Sequence, residues 1–192
     1  MVRKYLLGCI IFSFISCSSK TQEDSIQFNV DKDLLENSFS VDSLNFSFSA
    51  PLGWLADSSK VLNHTIQKYQ NEEISSYSIH INEIFYDSSS SSFCSISLIQ
   101  STDSLDINYF TDRFNFLLLQ QFSPDNLKKG RFTSNGMEII QFLIMTESKV
   151  LFKLFFQPTN KYILQLDYAI DRSIYPNYIK KIESSIGSIT TN

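Results

Sequence analysis

Two histidines and three cysteines in 192 residues leave little raw material for catalysis or metal binding. Neither His64 nor His80 has a Cys or carboxylate at ligand spacing on its own segment, whereas a structural zinc site needs about four protein ligands and a catalytic one about three. His80 lies on the polar side of an alternating strand beside Asn82 and reads as a partly exposed structural residue. No metal site and no cofactor are expected. The five glycines are scattered and form no phosphate-cradling loop, and the G-x-S-x-G and HExxH signatures are also missing. Glu72, Glu73, Glu83, Asp87, Glu138 and Glu147 lack the D-x-D-x-D-G spacing of a calcium loop and read as solvated charge. With a formal charge of -4 and no basic cluster, the chain is a poor nucleic-acid binder and carries no polybasic membrane patch.

Long apolar runs are equally scarce. The one that stands out, Tyr5 to Ile15, follows Arg3 and Lys4 and is too short to span a bilayer as a helix. A basic start, a short apolar stretch and a small residue, Ser16, form a secretory signal. Cys17 comes directly after Ser16, so Phe14-Ile15-Ser16-Cys17 resembles a bacterial lipobox. The resemblance implies residues 1–16 as a lipoprotein signal peptide and Cys17 as the lipidated residue carrying diacylglycerol and a further acyl chain. Two or three chains anchor stably where one does not. Ser18 stands where some bacteria read Asp as an inner-membrane retention signal, so the expected location is the outer membrane, with the face left open.

Lipidation of Cys17 leaves Cys94 without an intrachain partner, so the core must hold the fold unaided although the compartment is oxidising. In Phe93-Cys94-Ser95-Ile96-Ser97-Leu98-Ile99 the thiol falls on an apolar-alternating strand and reads as a buried structural cysteine. Few Ala, Gly, Pro and Arg residues beside abundant Phe, Ile, Asn, Lys and Ser point to an AT-rich genome. With the lipoprotein signal, that suggests a Bacteroidota-type source.

Residues 17–37 read as a polar tether with a short ordered piece near Ile26 to Val30, and residues 38–192 as a single globular domain. Phe39 and Val41 alternate with polar residues, as do Leu44, Phe46 and Phe48, and Asp42-Ser43 between them predicts a hairpin. Pro51 stops the pairing before Gly53-Trp54, where Trp54 reads as a core plug. Residues 57–71 predict a weak amphipathic helix with Val61, Leu62, Ile66 and Tyr69 inward. Tyr77, Ile79, Ile81 and Phe85 mark a strand, five serines at 88–92 a loop, and Phe93 to Ile99 the next strand.

The clearest helix spans about Leu105 to Phe122, capped in the 101–104 region, with Ile107, Phe110, Phe114, Leu117, Leu118 and Phe122 inward. A meander follows. Strands near 128–133 and 137–146 flank Asn135-Gly136, a strong hairpin signal. Val150 to Gln157 is apolar on both faces, and a turn at 158–161 leads to Tyr162 to Ala169. Residues 175–188 close the chain as a helix with Pro176 in its first turn and Ile179, Ile182, Ile186 and Ile189 inward. Runs of strands beside separate helices predict an α+β fold, an antiparallel sheet flanked by helices.

The string Leu44-Asn45-Phe46-Ser47-Phe48-Ser49-Ala50-Pro51-Leu52-Gly53-Trp54 resembles the opening of the PsbP-like (DcrB-like) family. The helix start at Ser104-Leu105-Asp106-Ile107-Asn108-Tyr109-Phe110, the Asn135-Gly136 hairpin and the closing helix fit the same order. The resemblance implies a PsbP-like α/β/α sandwich and a membrane-anchored, non-catalytic binding or assembly module for an envelope protein partner. It brings no catalytic residues. Two rivals stay open: a lipid or small-molecule carrier using an apolar groove, and an enzyme assembled from dispersed residues such as His80, Asn82 and Glu138. Ser25, Ser43 and Ser104 each follow Asp and precede an aliphatic residue, a pattern like that of Bacteroidota O-glycosylation, and equally fit ordinary turns and caps.

Overall fold

The computed structural model describes residues 28–57, 77–101 and 105–191. All of the expected helix at 57–71 beyond Asp57, and with it His64, lies outside the described residues, as do Cys17, Ser25 and Ser104.

Alternation of apolar and polar residues produces β1 (Leu35–Val41) and β2 (Phe46–Pro51), which pair as the expected hairpin. A 3-10 turn at Asp42–Leu44 joins them, and Asn45 closes it with φ 47°. Left-handed backbone is tolerated best by Gly and Asn. At the other end of β2, Gly53 (φ 90°) redirects the chain into β3 (Trp54–Ala56). β4 (Tyr77–Asp87) and β5 (Phe93–Ser101) follow, then α1 (Ile107–Gln121). The meander comprises β6 (Leu127–Ser134), β7 (Met137–Met145), β8 (Lys149–Thr159) and β9 (Tyr162–Asp171). α2 (Tyr175–Gly187) and the short β10 (Thr190–Thr191) end the described chain.

The strands form two sheets rather than one. β3-β4-β5-β9-β8-β7-β6 make a seven-stranded sheet, and β1-β2-β10 a separate three-stranded one. Every pairing is antiparallel. The small sheet and α2 cover one face of the large sheet, and α1 covers part of the other. This explains the doubly apolar β8. Val150, Phe152, Leu154 and Phe156 join Phe46, Ile182 and Ile186 in one nucleus, while Phe155 meets Phe110, Leu118 and Ile163 in the other. Trp54 and Cys94 are both buried in the first nucleus, as expected.

Four local expectations need correction. The folded unit starts well before Ser38. Phe28 packs edge-on against Phe132 with ring centroids 5.2 Å apart, the Asp31 amide donates to Ser184 Oγ, and β1 begins at Leu35. Those residues read as tether because their apolar members are sparse, yet each finds a partner distant in sequence. In β4 the register shifts between Ile81 and Glu83. Tyr77 and Ile79 therefore face the α1 nucleus while Phe85 faces the other, as an extra residue in a strand requires. Helix α1 starts at Ile107, and Asp106 caps it by accepting from the amides of Asn108 and Tyr109. On α2, Ile179 is exposed, and Tyr178 and Ser185 point inward in its place.

The Asn135-Gly136 hairpin also fastens the end of α2. Both residues take positive φ, and Asn135 Nδ2 donates to the Gly187 and Ile189 carbonyls. Those carbonyls would otherwise be orphaned at the helix end.

Candidate functional site

Three regions of the surface bear on function: the two ends of the large sheet and the strip formed by α1 and β6.

At the β4–β5 end, the serine loop closes over two carboxylates, one of which, Asp87, is buried and hydrogen-bonded rather than solvated as expected. Asp87 Oδ1 accepts from the amide and hydroxyl of Ser89, and its Oδ2 accepts from Ser90 Oγ and from Tyr178 Oη at 2.7 Å. Burial pushes the Asp87 pKa upward, but these hydrogen bonds outweigh it and hold the group at about 2. The same bond pushes the Tyr178 hydroxyl upward. Beside them, Asp171 is held below its ordinary value by hydrogen bonds from Lys149 and Ser91. All these acceptors already have donors, so the cluster is a clasp between loop, sheet and α2. It contains no poised acid–base pair.

At the opposite end, two clefts of about 330 and 360 Å³ share a wall of Pro158 and Thr191. Lys161 and Tyr162 line the first, with the Tyr162 hydroxyl donating to the Leu44 carbonyl. Glu138 lines the second and is ion-paired with Arg131. Ser43 lies in the turn that brings Leu44 and Asn45 to the first cleft.

The dispersed residues considered for an enzyme do not come together. His80 and Asn82 are exposed on β4, Glu138 is on β7, and β5, β9 and β8 run between them. Cys94 is fully buried, and burial pushes its thiol pKa well up, so it is no nucleophile. Among the described residues no three of His, Cys, Asp and Glu lie close enough to hold a metal ion. No helix among them is long and apolar enough to cross a membrane.

The third region is an apolar row left facing outward. Tyr109, Phe116 and Leu119 are 58%, 55% and 46% exposed on the outward side of α1. They fall outside the inward stripe at helical spacing, so their outward placement is a pattern the sequence already carries. Alongside runs β6, where Lys128, Lys129, Gly130 and Arg131 are exposed in succession. Lys129 Nζ meets Asp112 Oδ1 at 2.7 Å, and an Arg131 guanidinium nitrogen donates to Asn108 Oδ1 at 2.7 Å. These ties fasten strand to helix and leave the apolar row facing outward.

No protein-family model and no curated protein matches the sequence. Among solved structures, the chain is similar to the solution structure of cyanobacterial PsbP (CyanoP) from Synechocystis sp. PCC 6803. The match has a TM-score of 0.54 and 11% identity, and covers 85% of this chain and 96% of that one. The fold is PsbP-like. At that identity the likeness speaks for architecture alone. The expected α+β arrangement of antiparallel strands flanked by helices is the one found.

Proposed function

We propose that this protein is an envelope lipoprotein, anchored through Cys17 to the outer membrane, whose PsbP-like domain is a non-catalytic module that binds or assembles an envelope protein partner. The observation that carries the binding reading is the distribution of chemistry over the surface. Reactive residue types are dispersed or engaged in structural bonds, while three large exposed apolar side chains, Tyr109, Phe116 and Leu119, share one face of α1. Apolar rows of that kind, rimmed by charge, mark interaction surfaces. The carrier alternative has less support, because both faces of β8 are filled by packed nuclei and the clefts at the Pro158 end carry Lys161, Glu138 and Gln157 in their walls.

The anchor reading rests on the order of Arg3-Lys4, the apolar run and Ser16-Cys17. Residues 18–27 separate the lipid from Phe28, the first described residue of the domain. Ten residues reach about 35 Å at full extension, so the domain is held close to the bilayer surface. Membrane fractionation of Cys17→Ser tests this. The variant should appear in the soluble fraction or as an uncleaved precursor, and full processing with unchanged membrane association would overturn the anchor. The intact mass of the wild-type protein from its own host also reads the three glycosylation candidates. Ser25 is proposed as the modified residue, because it falls in the stretch whose sequence reads as a polar tether. A mass equal to lipid plus peptide rules it out.

A further inference from the structure

We propose that the edge of β6, unpaired among the described residues, accepts an extended acidic segment of a protein partner as an added strand. The proposal rests on the binding-module reading above and gives that partner a place and a chemistry.

The first observation is the edge itself. β6 ends the seven-stranded order, and its eight residues contrast with the three of β3 at the other end. Short edge strands protect themselves by offering little backbone to pair with, whereas a long exposed one is a ready template. A Cβ added at Gly130 would meet nothing within 4 Å, so the middle of this edge has room for a neighbour. Strand addition draws its affinity from main-chain hydrogen bonds and its specificity from alternate side chains.

Charge selects the occupant. Lys128, Lys129 and Arg131 put three cations into four residues of a chain whose formal charge is -4. Antiparallel pairing of two copies about Gly130 would set Lys129 opposite Arg131, and like charges directly opposite are destabilising. A second copy is thereby disfavoured, and an acidic strand is favoured. Lysine has three donors and arginine five, so the existing bonds to Asp112, Asn108 and Glu138 leave donors over.

The helix marks the side on which the acids would lie. Asn108 lies beside Arg131 and Asp112 beside Lys129, so α1 runs antiparallel to β6. Phe116, one turn beyond Asp112, lies toward the Leu127 end, and Tyr109 toward the Arg131 end. Lys129 and Arg131 lie on the α1 side of β6 and Lys128 on the other, so an alternating added strand would place its acids on the α1 side against Lys129 and Arg131.

The test uses the full chain in mild detergent and a capped synthetic octapeptide of alternating Glu and Val or Leu. A control peptide carries Lys for Glu, and backbone amide exchange of β6 is followed by NMR. Saturation with the acidic peptide should slow exchange of the outward β6 amides by about tenfold or more, while the Lys peptide leaves them unchanged. Lys129→Ala and Arg131→Ala, on the side the acids face, should each weaken the acidic peptide. The proposal is overturned if both peptides act alike, if protection appears away from β6 and α1, or if the β6 amides are already protected in the protein alone. A partner captured by the anchored protein while the peptide leaves β6 untouched would keep the binding reading and reject this surface.

Discussion

The Tyr178 hydroxyl donates to Asp87 Oδ2 across 2.7 Å, joining α2 to the end of β4. The two residues are distant in sequence, and the bond closes the serine loop against the small-sheet face. Its consequence is a definite response to acid. The Asp87 pKa is about 2 in the folded protein, against 3.8 for an unperturbed Asp. A depressed carboxylate stabilises the fold fully above its unfolded pKa and loses that contribution as pH falls toward the folded value. Chemical denaturation between pH 7 and pH 2 should therefore show stability declining below about pH 4. Asp87→Asn should cost about 1–2 kcal/mol at neutral pH and flatten that decline. An unchanged acid limb in the variant would remove Asp87 from the account. Tyr178→Phe should lower stability at pH 7 by about 1 kcal/mol and raise the Asp87 pKa.

Gly187 tests where the domain begins. A Cβ at this position would sit 2.6 Å from Phe28 Cβ and 2.8 Å from a Val30 methyl. Gly187→Ala must displace the segment before β1, at a cost of about 1–3 kcal/mol. Truncating the chain before Asn37 should make the Gly187→Ala substitution nearly silent, because the clash partner is gone. Equal costs in both backgrounds would mean that residues 28–30 do not pack there.

Cys94 is fully buried, and its thiol is pushed well above its ordinary range by burial. A thiol reagent at pH 8 should leave Cys94 unmodified in the folded protein and react with it on unfolding. Rapid labelling under native conditions would contradict the packing of the first nucleus.

Local chemistry made several parts of the fold legible. Asn135-Gly136 fixes its own hairpin through two positive φ angles, and β8 announces one covered face in Val150, Phe152, Leu154 and Phe156 and part of a second in Leu151 and Phe155. The partition into two sheets was not legible. β2 pairs with β10 through only Thr190 and Thr191, across most of the chain, and no local pattern records such a pairing. The register shift in β4 left one mark in the sequence, Glu83 interrupting the series Tyr77, Ile79, Ile81, Phe85, but a single polar residue does not say that the flanking residues change face in space. The start of the domain was hidden too, because Phe28 and Val30 acquire meaning only through Phe132 and Gly187. As for the site, the absence of clustered reactive residues in the sequence pointed away from enzymes, but the strip of α1 and β6 emerges only when helix and edge strand are placed side by side.

The central claim is that an anchored, non-catalytic domain engages an envelope protein. The most direct measurement is affinity isolation from native membranes after mild cross-linking in cells, with the Cys17 anchor intact, compared with Phe116→Asp. The account predicts one reproducible envelope protein, recovered in constant proportion to the wild type and reduced about tenfold with Phe116→Asp. Recovery of the domain without any enriched protein, or with bound lipid alone, would contradict it.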